Sequence, residues 1–75
     1  MDDRKFVPHD IKVIDRQNGD MLMRDVFVNS RKVGHYYVIP GIAVWASKER
    51  EGRKPMIKRF DYKAKALAWI VRRND

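Results

Sequence analysis

No cysteine occurs anywhere in this chain. Disulfide stapling, thiolate nucleophiles, iron–sulfur clusters and cysteine-based zinc sites are excluded together. Long apolar runs are missing too. The longest, Ala66–Val71, spans six residues, against the ~20 that a bilayer-crossing helix requires. The acidic start Met1-Asp2-Asp3 lacks the basic and apolar regions of a secretory signal, so a soluble, cytoplasmic protein is expected. Seventy-five residues leave room for one small domain, with Met1 and Asp75 read as the ends of a complete small chain. Scaffolds of roughly 250 residues, such as (β/α)8 barrels, are ruled out by length.

Catalytic constellations are equally scarce. The only histidines, His9 and His35, lie far apart with no cysteine or close set of carboxylates to join them, so no metal site and no cofactor is expected. Asp2, Asp3, Asp10, Asp15, Asp20, Glu49, Glu51, Asp61 and Asp75 are scattered among basic neighbours. Asp25 alone has apolar flanks, Met23 and Phe27 standing two residues to either side. Ser30 and Ser47 have no base nearby, and no glycine-rich phosphate loop or nucleophile elbow is present. The chain does not read as an enzyme.

Positive charge is what the chain has in excess. Seventeen Lys+Arg against ten Asp+Glu give a formal net charge of +7, which favours association with polyanions. Basic residues cluster at Arg31-Lys32, Lys48/Arg50, Arg53-Lys54, Lys58-Arg59, Lys63/Lys65 and Arg72-Arg73. Their density is greatest between Lys48 and Lys65.

The pattern along the chain predicts an α+β fold: a small antiparallel sheet, formed by an N-terminal hairpin and three short strands, packed against one C-terminal helix. Residues 1–9 fit no period and read as a loosely ordered arm. Residues 10–28 read as a hairpin turning at Asn18-Gly19, the sequence signature of a type I′ turn. That register sets Lys12 opposite Asp25, Ile14 opposite Met23 and Ile11 opposite Val26. Asn29–Gly34 reads as a polar break. Three strands follow within residues 35–60: His35–Ile39, Ile42–Ser47 and Met56–Phe60, divided by Pro40-Gly41 and by a charged loop, Lys48–Pro55. Alternation places Ile42, Val44 and Ala46 on one face, with Ala43 and Trp45 on the other. Ile57 likewise opposes Met56 and Phe60.

The helix is expected over residues 61–73, with Asp61 as N-cap and Arg72-Arg73 complementing the C-terminal end of the dipole. At 100° per residue, Ala64, Leu67 and Val71 form one apolar stripe flanked by Ile70, while Tyr62, Ala66 and Trp69 lie almost opposite. One flat sheet face cannot cover both. Either the hairpin wraps the helix from a second side, or one stripe contacts another chain. Trp69 is assigned to the core, as is usual for a large aromatic in so small a domain.

The segment Tyr36–Arg73 carries a resemblance. Its elements are the aromatic strand Tyr36-Tyr37-Val38-Ile39, the turn at Gly41, a strand bearing Trp45, a charged glycine-containing loop, and the run from Lys58-Arg59-Phe60 through the alanine- and lysine-rich helix start to Trp69-Ile70. It resembles the AP2-like, arm-type DNA-binding module at the N-terminus of many tyrosine recombinases. Departures from that pattern are Tyr62 in place of the usual threonine, Trp45 set four residues beyond Gly41, and a hairpin, residues 10–28, with no counterpart. The resemblance implies that the open sheet face enters the major groove of DNA, and it points to Lys58 and Arg59 on the last strand and to Arg53 and Lys54 in the loop before it. Lys63 and Lys65 at the helix start join them as phosphate neighbours on charge alone.

Double-stranded DNA is therefore the expected partner, with RNA as an alternative the residues do not separate. Aromatics standing on an open sheet face would instead form a stacking platform for single strands, although core use of Tyr36, Tyr37, Trp45, Phe60 and Tyr62 is favoured by the size of the chain. A reading of another class is a small protein, of the kind phages and mobile elements encode, that binds and regulates or inhibits another protein. It would use the spare helix stripe or an exposed strand edge, with a homodimer as a variant of the same reading.

Overall fold

The alternation of residues 10–28 becomes two strands, β1 (Ile11–Asn18) and β2 (Met21–Val28), in a computed structural model that describes residues 10–72. The chain continues through β3 (Arg31–Ile39), β4 (Ala43–Arg50) and β5 (Arg53–Phe60) into one helix, α1 (Lys63–Val71). The five strands form a single antiparallel meander in the order β1-β2-β3-β4-β5. An α+β fold with an antiparallel sheet and a C-terminal helix is thus what the described residues adopt. The assigned arm, residues 1–9, and the end of the expected helix at Arg73 lie outside them.

Turn chemistry sets the registers. The first hairpin closes one step later than expected, because Asn18 pairs with Met21 and leaves Gly19-Asp20 as the loop. Gly19 alone takes positive φ there (+64°), the pattern of a turn with glycine at its first central position. Partners consequently move by two residues: Ile11 faces Val28, Lys12 faces Phe27 and Ile14 faces Asp25. A two-residue slip preserves which face each side chain occupies, so the alternation was read correctly while the pairs were not.

The type I′ geometry occurs instead at Asn29-Ser30, where both residues have positive φ (52° and 70°). The expected polar break is therefore a tight turn, and β3 begins at Arg31 rather than His35. Ile39-Pro40-Gly41-Ile42 closes on itself, the Ile42 amide donating to the Ile39 carbonyl at 3.0 Å, with Gly41 at φ +75° as a proline–glycine turn demands. The expected charged loop also folds into strand, leaving Glu51-Gly52 between Arg50 and Arg53. The last three strands are accordingly not short, at nine, eight and eight residues.

Two irregularities bend the sheet. Between Val26 and Phe27, one step on β2 is matched by two on β3, which makes Val33 the extra residue. Between Lys48 and Arg50, two steps on β4 meet three on β5, around Pro55. Proline is tolerated there because β5 is an edge strand.

The helix packs on one face of the sheet, against β3 and β4 and more lightly β2 and β5. Val26, Tyr36, Val44, Ala46, Ala66 and Ile70 form the buried cluster, with Val33, Phe60, Leu67, Trp69 and Val71 partly buried around it. Val26 and Ile70 are the largest fully enclosed side chains, each worth ~1.5–3 kcal/mol of apolar burial. The centre of the buried helix arc is Ala66 and Ile70, with Leu67 and Trp69 on its two shoulders, while Ala64 is exposed. Leu67 and Val71 of one expected stripe, and Ala66 and Trp69 of the other, therefore meet the bent sheet, while Ala64 and Tyr62 stay exposed. The first hairpin extends the sheet rather than wrapping the helix.

Helix α1 has only nine residues, fewer than the ~12–15 an isolated helix needs in water, so packing and capping must hold it. Its N-cap is Tyr62 rather than Asp61, with no side-chain cap. The C-terminal end is capped from the sheet by Lys48, whose Nζ donates to the carbonyls of Trp69, at 2.9 Å, and Arg72. Arg72 is the C-cap residue, its amide donating to the Ala68 carbonyl at 3.1 Å.

Candidate functional site

The face of the sheet away from the helix gathers the unusual chemistry. Pairing across strands aligns Asp25, His35, Ser47 and Ile57 in one row, and Tyr37, Trp45 and Arg59 in the next. Strand alternation explains the split among the aromatics. Tyr36 and Phe60 face the helix and enter the core, whereas Tyr37 and Trp45 take the opposite side and are half-buried. Phe60 meets Trp69 with ring centroids 5.4 Å apart, which places Trp69 in the core as expected.

The helix-free face holds a concavity of about 380 Å3, its wall including His35, Tyr37, Trp45, Lys54, Pro55 and Ile57. The bulge at Pro55 brings Lys54 and Pro55 to its rim, and Ile57 stands there two-thirds exposed, at 67%. The Nδ1 atom of His35 is buried without a hydrogen-bond partner among the described residues. Burial, aided by the positive charge of Lys32, holds this imidazole below its ordinary pKa of 6.5.

Asp25, next to His35 in the row, is buried and fully engaged. Arg16 donates to it twice, Nε to Oδ2 at 2.7 Å and Nη2 to Oδ1 at 3.0 Å, and Lys32 Nζ lies 3.4 Å from Oδ1. Hydrogen bonding from Arg16 keeps the carboxyl below its usual 3.8, outweighing the opposite effect of burial. The expected partner, Lys12, is displaced by the register shift. Asp25 is thus a structural anion, tied to cations and unsuited to accept a proton near neutrality.

The basic residues singled out in the sequence do not share one face. Arg53, Lys54, Lys58 and Arg59 all lie exposed on β5, but Lys58 pairs with Ala46 on the helix side while Arg59 pairs with Trp45 on the other. Lys58 Nζ sits 5.5 Å from the centre of the Phe60 ring. Lys63 and Lys65 are exposed at the helix start, with Lys65 Nζ 5.1 Å from the Tyr62 ring centre. Among the described residues none of the six forms an ion pair with a carboxylate. They form a basic rim running along the β5 edge and onto the helix start, rather than a single strand face.

Lys48 leaves the expected basic cluster altogether, because it is buried at 7% exposure and occupied in capping the helix. The core use favoured for Tyr37, Trp45 and Tyr62 is not realised: Tyr62 is exposed, and Tyr37 and Trp45 form a half-buried pair on the helix-free face. Their signal was present in the strand alternation, which sets Trp45 opposite Val44 and Ala46, but no spacing rule states which face a helix covers.

Among the described residues, no group of three or more histidines and carboxylates could hold a metal, and no helix is long and apolar enough to cross a membrane. The fold and site together define an α+β domain: an antiparallel five-stranded meander with one face covered by a C-terminal helix, and a concave aromatic face bordered by basic residues. No family model, no curated protein and no solved structure matches the chain.

Proposed function

We propose that this chain is a small nucleic-acid-binding module of the cytoplasm, without catalytic activity of its own, that engages double-stranded DNA along β5 and the helix start. The observation that supports this reading is the exposed rim of Arg53, Lys54, Lys58, Arg59, Lys63 and Lys65, clear of carboxylate ion pairs among the described residues, on a chain of net charge +7. Cations so arranged neutralise successive phosphates and release counterions, and an edge ribbon is narrow enough to follow a groove ~12 Å wide. The resemblance of residues 36–73 to the recombinase arm module agrees in the partner, double-stranded DNA, but it implies contact through the open sheet face rather than through the β5 edge.

The test is duplex binding measured between 50 and 200 mM salt for six single Lys/Arg→Ala variants. Each phosphate contact removed lowers the salt slope by about one unit. Unchanged slopes in all six variants would exclude the rim as the contact surface.

A second reading rests on β1. This edge strand is exposed along its whole length and carries Ile11, Val13 and Ile14 at the surface. An apolar edge that no other strand pairs among the described residues is suited to strand addition by a protein partner or a second copy. Concentration-dependent sedimentation without nucleic-acid binding would favour it.

A further inference from the structure

We propose that the concavity on the helix-free face is a stacking site for one unpaired nucleobase, so that the module, holding phosphates along the β5 rim, favours a duplex that offers an unpaired base over a continuous one. This inference rests on the nucleic-acid reading above and specifies its substrate. Four observations meet at the site. Tyr37 and Trp45 stand side by side across neighbouring strands and both line the cavity. Both remain half-buried rather than enclosed, with no helix laid over them. The cavity, about 380 Å3, falls at the lower end of the ~300–1,000 Å3 typical of small-ligand pockets, a size suited to a ring rather than to an extended chain. Finally, cations border the aromatics: Lys54 lies in the wall and Arg59 is the cross-strand partner of Trp45.

The combination selects for chemistry. An aliphatic chain would use the aromatic wall but not the cations, and a free phosphate would use the cations but not the wall. A nucleotide uses both, its ring on the aromatics and its phosphate at the rim. His35 also lines the wall, and its Nδ1 is buried without a hydrogen-bond partner among the described residues. Among the described residues no carboxylate lines the cavity, and the nearest in the row, Asp25, is neutralised by Arg16 and Lys32. Duplex DNA keeps its bases stacked internally and cannot present a ring to this site without unpairing.

The experiment uses the full chain carrying Trp69→Phe, which leaves Trp45 as the single tryptophan. An eight-nucleotide oligothymidylate and an abasic sugar–phosphate chain of equal length are titrated at one salt concentration. Oligothymidylate should quench Trp45 and bind roughly 5- to 150-fold tighter than the abasic chain, the range expected of one stacked base. Trp45→Leu, followed by anisotropy of end-labelled strands because no tryptophan remains, should abolish that difference. So should Ile57→Asp, an exposed rim substitution that leaves the core intact. Equal affinities for the two chains, or a preference that survives both substitutions, would overturn the stacking site while leaving the basic rim standing. Absence of binding to these chains and to duplex alike would overturn the rim reading as well.

Discussion

The Nζ of Lys48, on the fourth strand, donates to the main-chain carbonyl of Trp69 in the last turn of the helix at 2.9 Å. It also lies 5.5 Å from the centre of the Trp69 ring. A helix too short to stand alone is thereby fastened at its negative end by a cation held on the sheet. Lys48→Ala should therefore destabilise the fold by about 2 kcal/mol, the scale of a hydrogen bond from a charged donor together with lost packing. Lys48→Met restores the aliphatic contact but not the donor, and should fall between wild type and alanine. Urea unfolding of the three proteins checks the order.

Gly34 is required for a different reason. A Cβ at this position would lie 2.2 Å from the Ser47 carbonyl oxygen and 2.9 Å from Ile70 Cγ2. The first neighbour is backbone of an adjacent strand and cannot retreat. Gly34→Ala should cost ~3 kcal/mol or more. Gly41→Ala meets nothing within 4 Å but must hold φ near +75°, and should cost only ~1–2 kcal/mol. Thermal denaturation of the pair separates steric from conformational cost.

Ser30 occupies the second central position of its turn at φ +70°, a conformation that penalises a side chain. Ser30→Gly removes that penalty and should raise stability by roughly 0.5–1 kcal/mol, the residual gain after glycine's greater freedom in the unfolded chain. An equal or lower denaturation midpoint would show that the Ser30 side chain contributes more than the turn strain it carries.

Acidification should weaken the fold in two stages. The folded state holds His35 below its ordinary 6.5. The unfolded chain therefore binds the extra proton as pH falls below that value, and stability declines until the folded pKa is passed. Asp25 is held below 3.8 by Arg16. Its contribution is complete above that value and is lost as pH falls through the depressed folded pKa. Urea midpoints measured from pH 7.5 to pH 2.5 should show both declines. His35→Gln should abolish the first, and Asp25→Asn the second.

Much of this protein was legible in the sequence. Alternation alone assigned Val44 and Ala46 to one side of a strand and Ala43 and Trp45 to the other, and put Ile57 opposite Met56 and Phe60, because strand periodicity is a property of the backbone. Turn positions were less secure. Asn18-Gly19 and Asn29-Ser30 both carry the residues of a tight turn, and which of them takes two positive φ values depends on the register that the neighbouring strand enforces.

Composition, charge and the order of strands and helix follow from the residues themselves, since each is a local consequence of side-chain type. The bulges at Val33 and Pro55 and the choice of sheet face belong to the tertiary structure. Only the folded chain decides that Ala66 and Ile70 centre the buried helix arc, that Lys48 is withdrawn from the basic surface to cap a helix 21 residues onward, and that Lys58 and Arg59 part to opposite faces. Those outcomes rest on long-range packing: a helix covers one face of a bent sheet, and the large aromatics of the other face, Tyr37 and Trp45, stay only half-buried.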